Sequence, residues 1–241
     1  QSNDASFAAL QMHDLRVTLS PGTFVEQGAL LDAIAEIDDA DSVRAAAERL
    51  VVDSQVDTGT LAGAESVLVP GRLVGMSFGS TQPVDDVWIR DGTTPPADSD
   101  VASAVLEAKF ADRRGLPSQG TLLAAGGRAV DYTGLGVAPE DFFYEGAEGT
   151  LFAAGDFAIL YLPLAAAQEL SGQEGSVNDA VLVLTDGADR DALEGQLAEA
   201  ISDLGVSATV STRDDADAVR VLYEDIDNDQ RFWNALSALV L

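Results

Sequence analysis

The 241-residue chain has no cysteine, one histidine (His13) and one lysine (Lys109). Without cysteine there is no disulfide, thiolate zinc site, iron–sulfur cluster or cysteine nucleophile. One histidine excludes a multi-histidine metal site and leaves any Ser-His-Asp triad a single base. Basic residues are scarce: 13 against 41 acidic ones, a formal net charge of −28. A surface this negative repels phosphate, which argues against nucleic acid as a partner and against docking on anionic lipid through basic patches. No apolar run reaches the roughly 18 residues needed to span a bilayer. No Walker A sequence is present, so any ATP hydrolysis belongs to another chain or domain. What the chain does have is apolar residues, 46% of the total, the content of a globular protein. Its length fits one large domain or two small ones.

Gln1-Ser2-Asn3 reads as the scar of a cleavable expression tag and is set apart from the fold. The other end, from Ala235 to Leu241, is strongly apolar. It reads either as a terminal helix docked on the core or as the first turns of a transmembrane helix.

Leu15, Val17 and Leu19 alternate with Arg16 and Thr18, the pattern of a half-buried strand. Thr23-Phe24-Val25-Glu26 fits a capping box, and Leu30, Leu31, Ile34 and Ile37 then make one helical stripe. The Ala-rich run from Ser42 to Arg49 predicts a helix, and Leu50 to Val56 a strand. Val67 to Met76 reads as two extended pieces around a Pro70-Gly71 turn. From Val84 to about Gly175 the runs are short and β-like: Val87-Trp88-Ile89, Val105-Leu106, Leu122-Leu123, Val130-Asp131-Tyr132 and Phe157 to Leu162. Gly126-Gly127 marks a hairpin. Two short helices are expected, Ala108 to Arg114 and Pro163 to Leu170, the second with Pro163 first inside it and Gly172 just past its end. Val181 to Leu184 reads as a central strand. Leu193, Leu197, Ile201 and Leu204 form a helix stripe, and Ala208 and Val210 mark another strand. A last helix from Asp214, with the stripe Val219, Leu222, Tyr223, Ile226, Trp233, Leu236 and Val240, would run about 27 residues, or ~40 Å.

Few residues offer chemistry. Asp225 to Asp229 opens like an EF-hand loop, but Gln230 replaces the glycine and Leu236 the bidentate glutamate. An acidic helix face is the better reading. Asp186-Gly187-Ala188-Asp189-Arg190-Asp191 reads as a turn and helix N-cap. Gly134-Leu135-Gly136 lacks the third glycine and helix of a dinucleotide fingerprint and reads as a loop. His13, beside Asp14, reads as structural or surface. With 41 acids, chance carboxylate pairs carry no information about glycosidase chemistry. Arg113-Arg114 reads as a local salt-bridge site. Phe142-Phe143-Tyr144 is an aromatic cluster that either packs a core or faces a partner. The residues point to no catalytic, cofactor or metal site.

The order is strand–helix–strands, a β-rich block, then strand–helix–strand–helix. Several motifs stand along it. Asp14-Leu15-Arg16-Val17 leads into the early helix. Val69-Pro70-Gly71-Arg72-Leu73-Val74-Gly75 precedes Val84-Asp85-Asp86-Val87-Trp88-Ile89-Arg90-Asp91-Gly92. Leu106-Glu107-Ala108-Lys109-Phe110-Ala111 and Gly120-Thr121-Leu122 follow. Tyr161-Leu162-Pro163-Leu164-Ala165-Ala166-Ala167-Gln168 comes before Val177-Asn178-Asp179-Ala180-Val181, and Asp227-Asn228-Asp229-Gln230-Arg231-Phe232 stands near the end. Over nearly the whole chain this pattern resembles the large extracytoplasmic domain of ABC-transporter permeases of the FtsX-like family, with its MacB-type periplasmic core.

That resemblance implies a two-lobed α+β fold. Residues 4–83 and 178–241 would form a split βαβ porter-like lobe, with 84–177 inserted as a β-rich sabre-like lobe. It implies a non-enzymatic domain in the cell membrane, on the extracytoplasmic side between transmembrane helices 1 and 2, that couples ATP-driven helix motion to export or to an extracellular partner. The implied partners are an ABC ATPase subunit, a second permease copy or homologue, and an extracellular substrate or protein. No cofactor is implied. Phe142, Phe143 and Tyr144 would then be partner-facing. Phe232, Trp233, Leu236 and Leu239 would be membrane-proximal, with residues 5–12 near them. A free-standing secreted binding module and an acidic extracellular hydrolase are the alternatives.

Overall fold

The computed structural model of the protein describes residues 12–58, 67–80, 84–96, 102–139, 144–145, 151–152 and 155–213. Strand β1 (Leu15–Leu19) alternates as its sequence predicts, with Leu15, Val17 and Leu19 inward. It lies antiparallel between β14 (Ala208–Thr212) and β13 (Asp179–Leu184). β13 is buried along its whole length, as an unbroken apolar run requires in a strand covered on both faces. Its other neighbour is β3 (Val43–Asp57).

The first half of β3 is the Ala-rich run expected to be helical. Alanine's helix preference amounts to a fraction of a kcal/mol per residue. The ladder to β13, with Ala45 and Ala47 packed against Val181 and Val183, outweighs it. The expected capping box at Thr23 also does not form. Val25–Glu26 is a short strand, β2, paired with β12 (Ser176–Val177). Helix α1 (Ala29–Ala35) begins only after Gly28 and buries Leu30 and Ile34.

The second half of β3 pairs with β4 (Leu68–Met76), which runs straight through the expected Pro70-Gly71 turn. Gly71 serves close approach instead: a Cβ there would lie 2.5 Å from the carbonyl oxygen of Ala158. β4 is parallel to β11 (Ala158–Pro163), and β11 is antiparallel to β6 (Ser103–Glu107). β6 is parallel to β8 (Arg128–Val137). β8 also takes β5 (Trp88–Gly92) and β7 (Gly120–Ala124) antiparallel. The β7–β8 hairpin turns at Gly126 and Gly127, both at positive φ, as expected. Gly134 and Gly136 lie inside β8 and not in a loop. A Cβ on Gly136 would meet Val87 at 2.6 Å and Val105 at 2.7 Å. The result is one mixed ten-stranded sheet in the order β14-β1-β13-β3-β4-β11-β6-β8-β5, with β7 bridging β3 and β8. A separate small pair joins β9 (Tyr144–Glu145) to β10 (Leu151–Phe152).

Helix α2 (Ala108–Arg114) has the expected bounds. Pro163 caps α3 (Leu164–Ser171) from outside its first turn, and Gly172 closes it in the left-handed region. Helix α4 (Arg190–Asp203) buries Leu193, Leu197 and Ile201, and the Asp189 side chain accepts from Ala192 N at 3.2 Å, the expected N-cap.

The apolar core is divided. One cluster lies between β1, β13, α1 and α4. Another fills the space between β4, β6, β8, β11, α2 and α3. A third covers the opposite face of β4, β6 and β11. Gly75 lets α3 sit tight on β4, because a Cβ would come within 2.5 Å of the Ala167 methyl. Gly75→Ala is therefore expected to cost about 1–3 kcal/mol through overpacking. A thermal melt indistinguishable from that of the parent protein would refute this.

Among the described residues no helix is long and apolar enough to cross a membrane. The expected final helix, with Phe232, Trp233, Leu236 and Leu239, lies outside the described residues, as do residues 5–11, Phe142 and Phe143. Tyr144 begins β9.

Candidate functional site: a buried charge cluster where β3 changes partner

β3 changes partner between Arg49 and Leu50, leaving β13 for β4. At that point the fold buries four polar side chains of one network, His13, Arg49, Asp85 and Asp179. Arg49, 2% exposed, donates from Nε to Asp179 Oδ1 at 2.7 Å and from Nη1 to Asp85 Oδ2 at 3.1 Å. Asp179 also accepts from Arg16 Nε at 2.7 Å and from the Thr18 hydroxyl at 3.1 Å. Asp85 is gripped from the other side by His13, through its backbone N–H at 2.9 Å and through ring Nδ1 at 2.7 Å. Both aspartate side chains are wholly buried. Charges taken out of water at this depth require close partners, and both have them.

The same junction is stitched by Asn178. Its side chain accepts from Val51 N and donates to Val51 O, both at 2.8 Å. Next along β3, Glu48 accepts from the backbone N–H groups of Gly28, Leu30 and Leu31 at 2.7, 2.9 and 3.3 Å. A carboxylate from the sheet thus supplies the cap that α1 lacks locally. A cleft of about 170 Å³ opens beside it, lined by Gln27, Leu31, Met76, Val84 and Leu164. The charged groups on its wall, Glu48 and Arg49, are already committed to the contacts above.

Asp85 is also bent into an unusual backbone shape, φ 53°. Burial alone would raise its pKa. The neighbouring His13 and Arg49 outweigh that and hold the carboxyl below its ordinary value of 3.8. A group with a depressed folded value contributes stability that is present above 3.8 and is lost as pH falls through the folded value. Unfolding midpoints followed from pH 7 downward should therefore fall most steeply below that point. Asp85→Asn should flatten this part of the profile, and an identical acid limb in the variant would contradict the assignment.

Sequence reasoning placed His13 as structural or surface but missed Asp85 and Arg49 as its companions, because the contacts span 72 and 36 residues. The reading of His13 as structural or surface also rests on there being no Gly-x-Ser-x-Gly elbow, and that is incorrect: Gly75-Met76-Ser77-Phe78-Gly79 has the spacing. The structure does not assemble a triad there. Ser77 follows β4 at an exposed position, residues 78–80 directly after it are not helical, and the His13 ring is bonded to Asp85. Arg114 makes the local contacts expected of it, to Gly155 O at 2.6 Å and Asp156 at 3.3 Å. Among the described residues no group of three or more His, Asp or Glu side chains is placed to hold a metal.

No protein-family model matches the chain, and no curated protein matches its sequence. Solved structures do match. The periplasmic region of MacB from Actinobacillus actinomycetemcomitans aligns at TM-score 0.55 with 10% identity, over 95% of this chain and 99% of that one. The extracellular domain of the noncanonic ABC-type transporter YknZ from Gram-positive bacteria aligns at TM-score 0.51 with 13% identity, over 83% and 98%. The chain therefore has the α+β fold of the MacB periplasmic region, a fold also present in the YknZ extracellular domain.

Proposed function

We propose that this chain is the extracytoplasmic domain of an ABC-transporter permease of the FtsX-like, MacB-type family. It sits between the first and second transmembrane helices and couples their ATP-driven motion to export or to an extracellular partner. The observation that carries this reading is a MacB-like fold over 95% of the chain. In this reading residues 4–83 and 178–241 form the porter-like lobe, and the cluster between β1, α1, β13 and α4 is part of its core. Residues 84–177 form the inserted sabre-like lobe. The domain is not a catalyst, and ATP is hydrolysed on a partner ATPase chain. A second permease copy or homologue completes the membrane part. Phe142, Phe143 and Tyr144 face the extracellular partner, and Phe232, Trp233, Leu236 and Leu239 lie next to the bilayer.

The 241 residues contain no cysteine, so once any cysteine elsewhere in the gene product is replaced by serine a single introduced one reports on this domain. Cysteine is placed at exposed Thr209 in the full-length gene product, and intact cells are treated with a membrane-impermeant maleimide. Labelling without lysis, together with co-purification of an ATPase subunit from detergent, is the expected result. A site that reacts only after lysis, or a protein released freely into the medium, would reject this reading.

A further inference from the structure

The ten-stranded sheet ends in β5 on one side and β14 on the other, and the two edges are finished differently. The ladder of β5 with β8 slips at Arg90, and Arg90 and Asp91 stand exposed along it. A slipped register and charged side chains both discourage a further strand. β14 has neither. Ala208-Thr209-Val210-Ser211-Thr212 pairs with β1 in one unbroken register and contains no charged residue, proline or glycine. Among the described residues no strand lies on its outer side.

The hydrogen bonds at the two ends of this strand fix what its outer side offers. Ser20 N donates to Ser207 O at 2.9 Å, and Arg213 N donates to Asp14 O at 3.2 Å. In an antiparallel ladder the bonded residues alternate. Ser207, Thr209, Ser211 and Arg213 therefore turn their main-chain groups to β1, and Ala208 and Val210 turn an N–H and a C=O outward. The side chains of Ala208 and Val210 pack against the cluster that holds Leu193, Leu197 and Ile201 of α4, so the helix lies over the strand and keeps it in place. Leu204, 41% exposed, stands between α4 and β14.

We propose that β14 is a pairing edge, which takes up an extended basic segment of an extracellular partner protein as a further strand. This deepens the reading above, on which it rests, by giving the chemistry of that partner. Charge selects it. From Asp186 to Arg213 six acids, Asp186, Asp189, Asp191, Glu194, Glu199 and Asp203, stand against two bases, Arg190 and Arg213. Arg190 is already in contact with Asp14, at 3.3 Å. Two copies of this chain pairing edge to edge would bring two such acidic helices together on molecules of charge −28 each, which repel. A strand with Lys or Arg at alternate positions instead meets α4 with opposite charge along one face. Its main chain bonds Ala208 and Val210, the mode by which an extended peptide extends a sheet. Leu204 offers an apolar contact beside it.

The test titrates the full chain into a fluorescent peptide of alternating lysine and threonine, with alternating glutamate and threonine as the control. Saturable binding of the lysine peptide alone is expected, weakened by salt. Amide exchange locates it. At saturation, exchange at Ala208 and Val210 should slow about tenfold or more, whereas Thr209 and Ser211, bonded to β1 throughout, change little. Val210→Pro removes one outward N–H and leaves the ladder to β1 whole, and the affinity should fall about tenfold. Should that variant fail to fold, Ala208→Pro at the start of the strand takes its place with the same expected loss. No binding, undiminished binding to the proline variant, or slowed exchange that spares Ala208 and Val210 would overturn the proposal. So would a dimer of the chain itself that the proline variant dissociates, because the edge would then belong to a second copy. Pairing at the edge together with failed surface labelling would keep the edge and remove its extracellular partner. Successful labelling without pairing would keep the transporter domain and remove the added strand.

Discussion

Exchanging Arg49 for methionine is expected to lower the unfolding free energy by about 3–5 kcal/mol. Methionine replaces the aliphatic stem but leaves Asp85 with His13 as its only cationic or donor neighbour in the cluster, and Asp179 with Arg16 and Thr18. The cost is that of a buried negative charge losing its counter-ion, and it is larger than the net worth of the pair. Urea unfolding should show a lower midpoint with an unchanged slope. Arg90→Met provides the scale, because the pair between Arg90 and Asp112 is exposed, at 34% and 58% of the side chains. That substitution should cost no more than about 1 kcal/mol. Equal losses in the two variants would show that burial is not what gives the cluster its importance.

Glu48→Ala is the second large effect, expected near 3 kcal/mol and concentrated on α1. The substitution removes an acceptor shared by three backbone donors, those of Gly28, Leu30 and Leu31. Each buried donor left unpaired costs about 1–3 kcal/mol, and the seven-residue helix has no side-chain cap of its own. A helix this short does not persist without tertiary support. Amide exchange at Ala33 and Ile34 should accelerate well beyond that of β13 in the same sample. If α1 and β13 lost protection together, the carboxylate would be acting on the whole domain and not as a remote cap.

These two side chains show where the sequence could be read and where it could not. Strands β1 and β13, helices α2 and α4, and the Gly126-Gly127 hairpin were legible because each is decided by its own neighbours: a period, a left-handed glycine, an N-cap. The Ala-rich segment was misread because alanine's local preference is weak, and the deciding partner, Val181, comes more than a hundred residues later. Pro70-Gly71 and Gly134-Leu135-Gly136 looked like breaks. Their glycines instead admit a carbonyl and two valine side chains, a need that no local pattern records. The charge cluster was the least visible feature. His13, Arg49, Asp85 and Asp179 stand far apart in the chain, each among dozens of acids, and only the sheet topology makes them neighbours.

The antiparallel pairing of Leu15 with Leu182 and with Thr212 also governs how the chain can be made. β1 emerges early from the ribosome, yet both of its partners are among the last described residues to follow. β4 can find β11, and β7 can find β8, well before that. The part of the sheet built from the middle of the chain is thus free to close first, while β1 waits as an unpaired, half-apolar strand. Non-local pairings of this kind are reached slowly, and an edge left open meanwhile is the part most exposed to the wrong partner. The 28-unit excess of negative charge carried by the whole chain is one protection during that wait, because like-charged nascent chains repel one another.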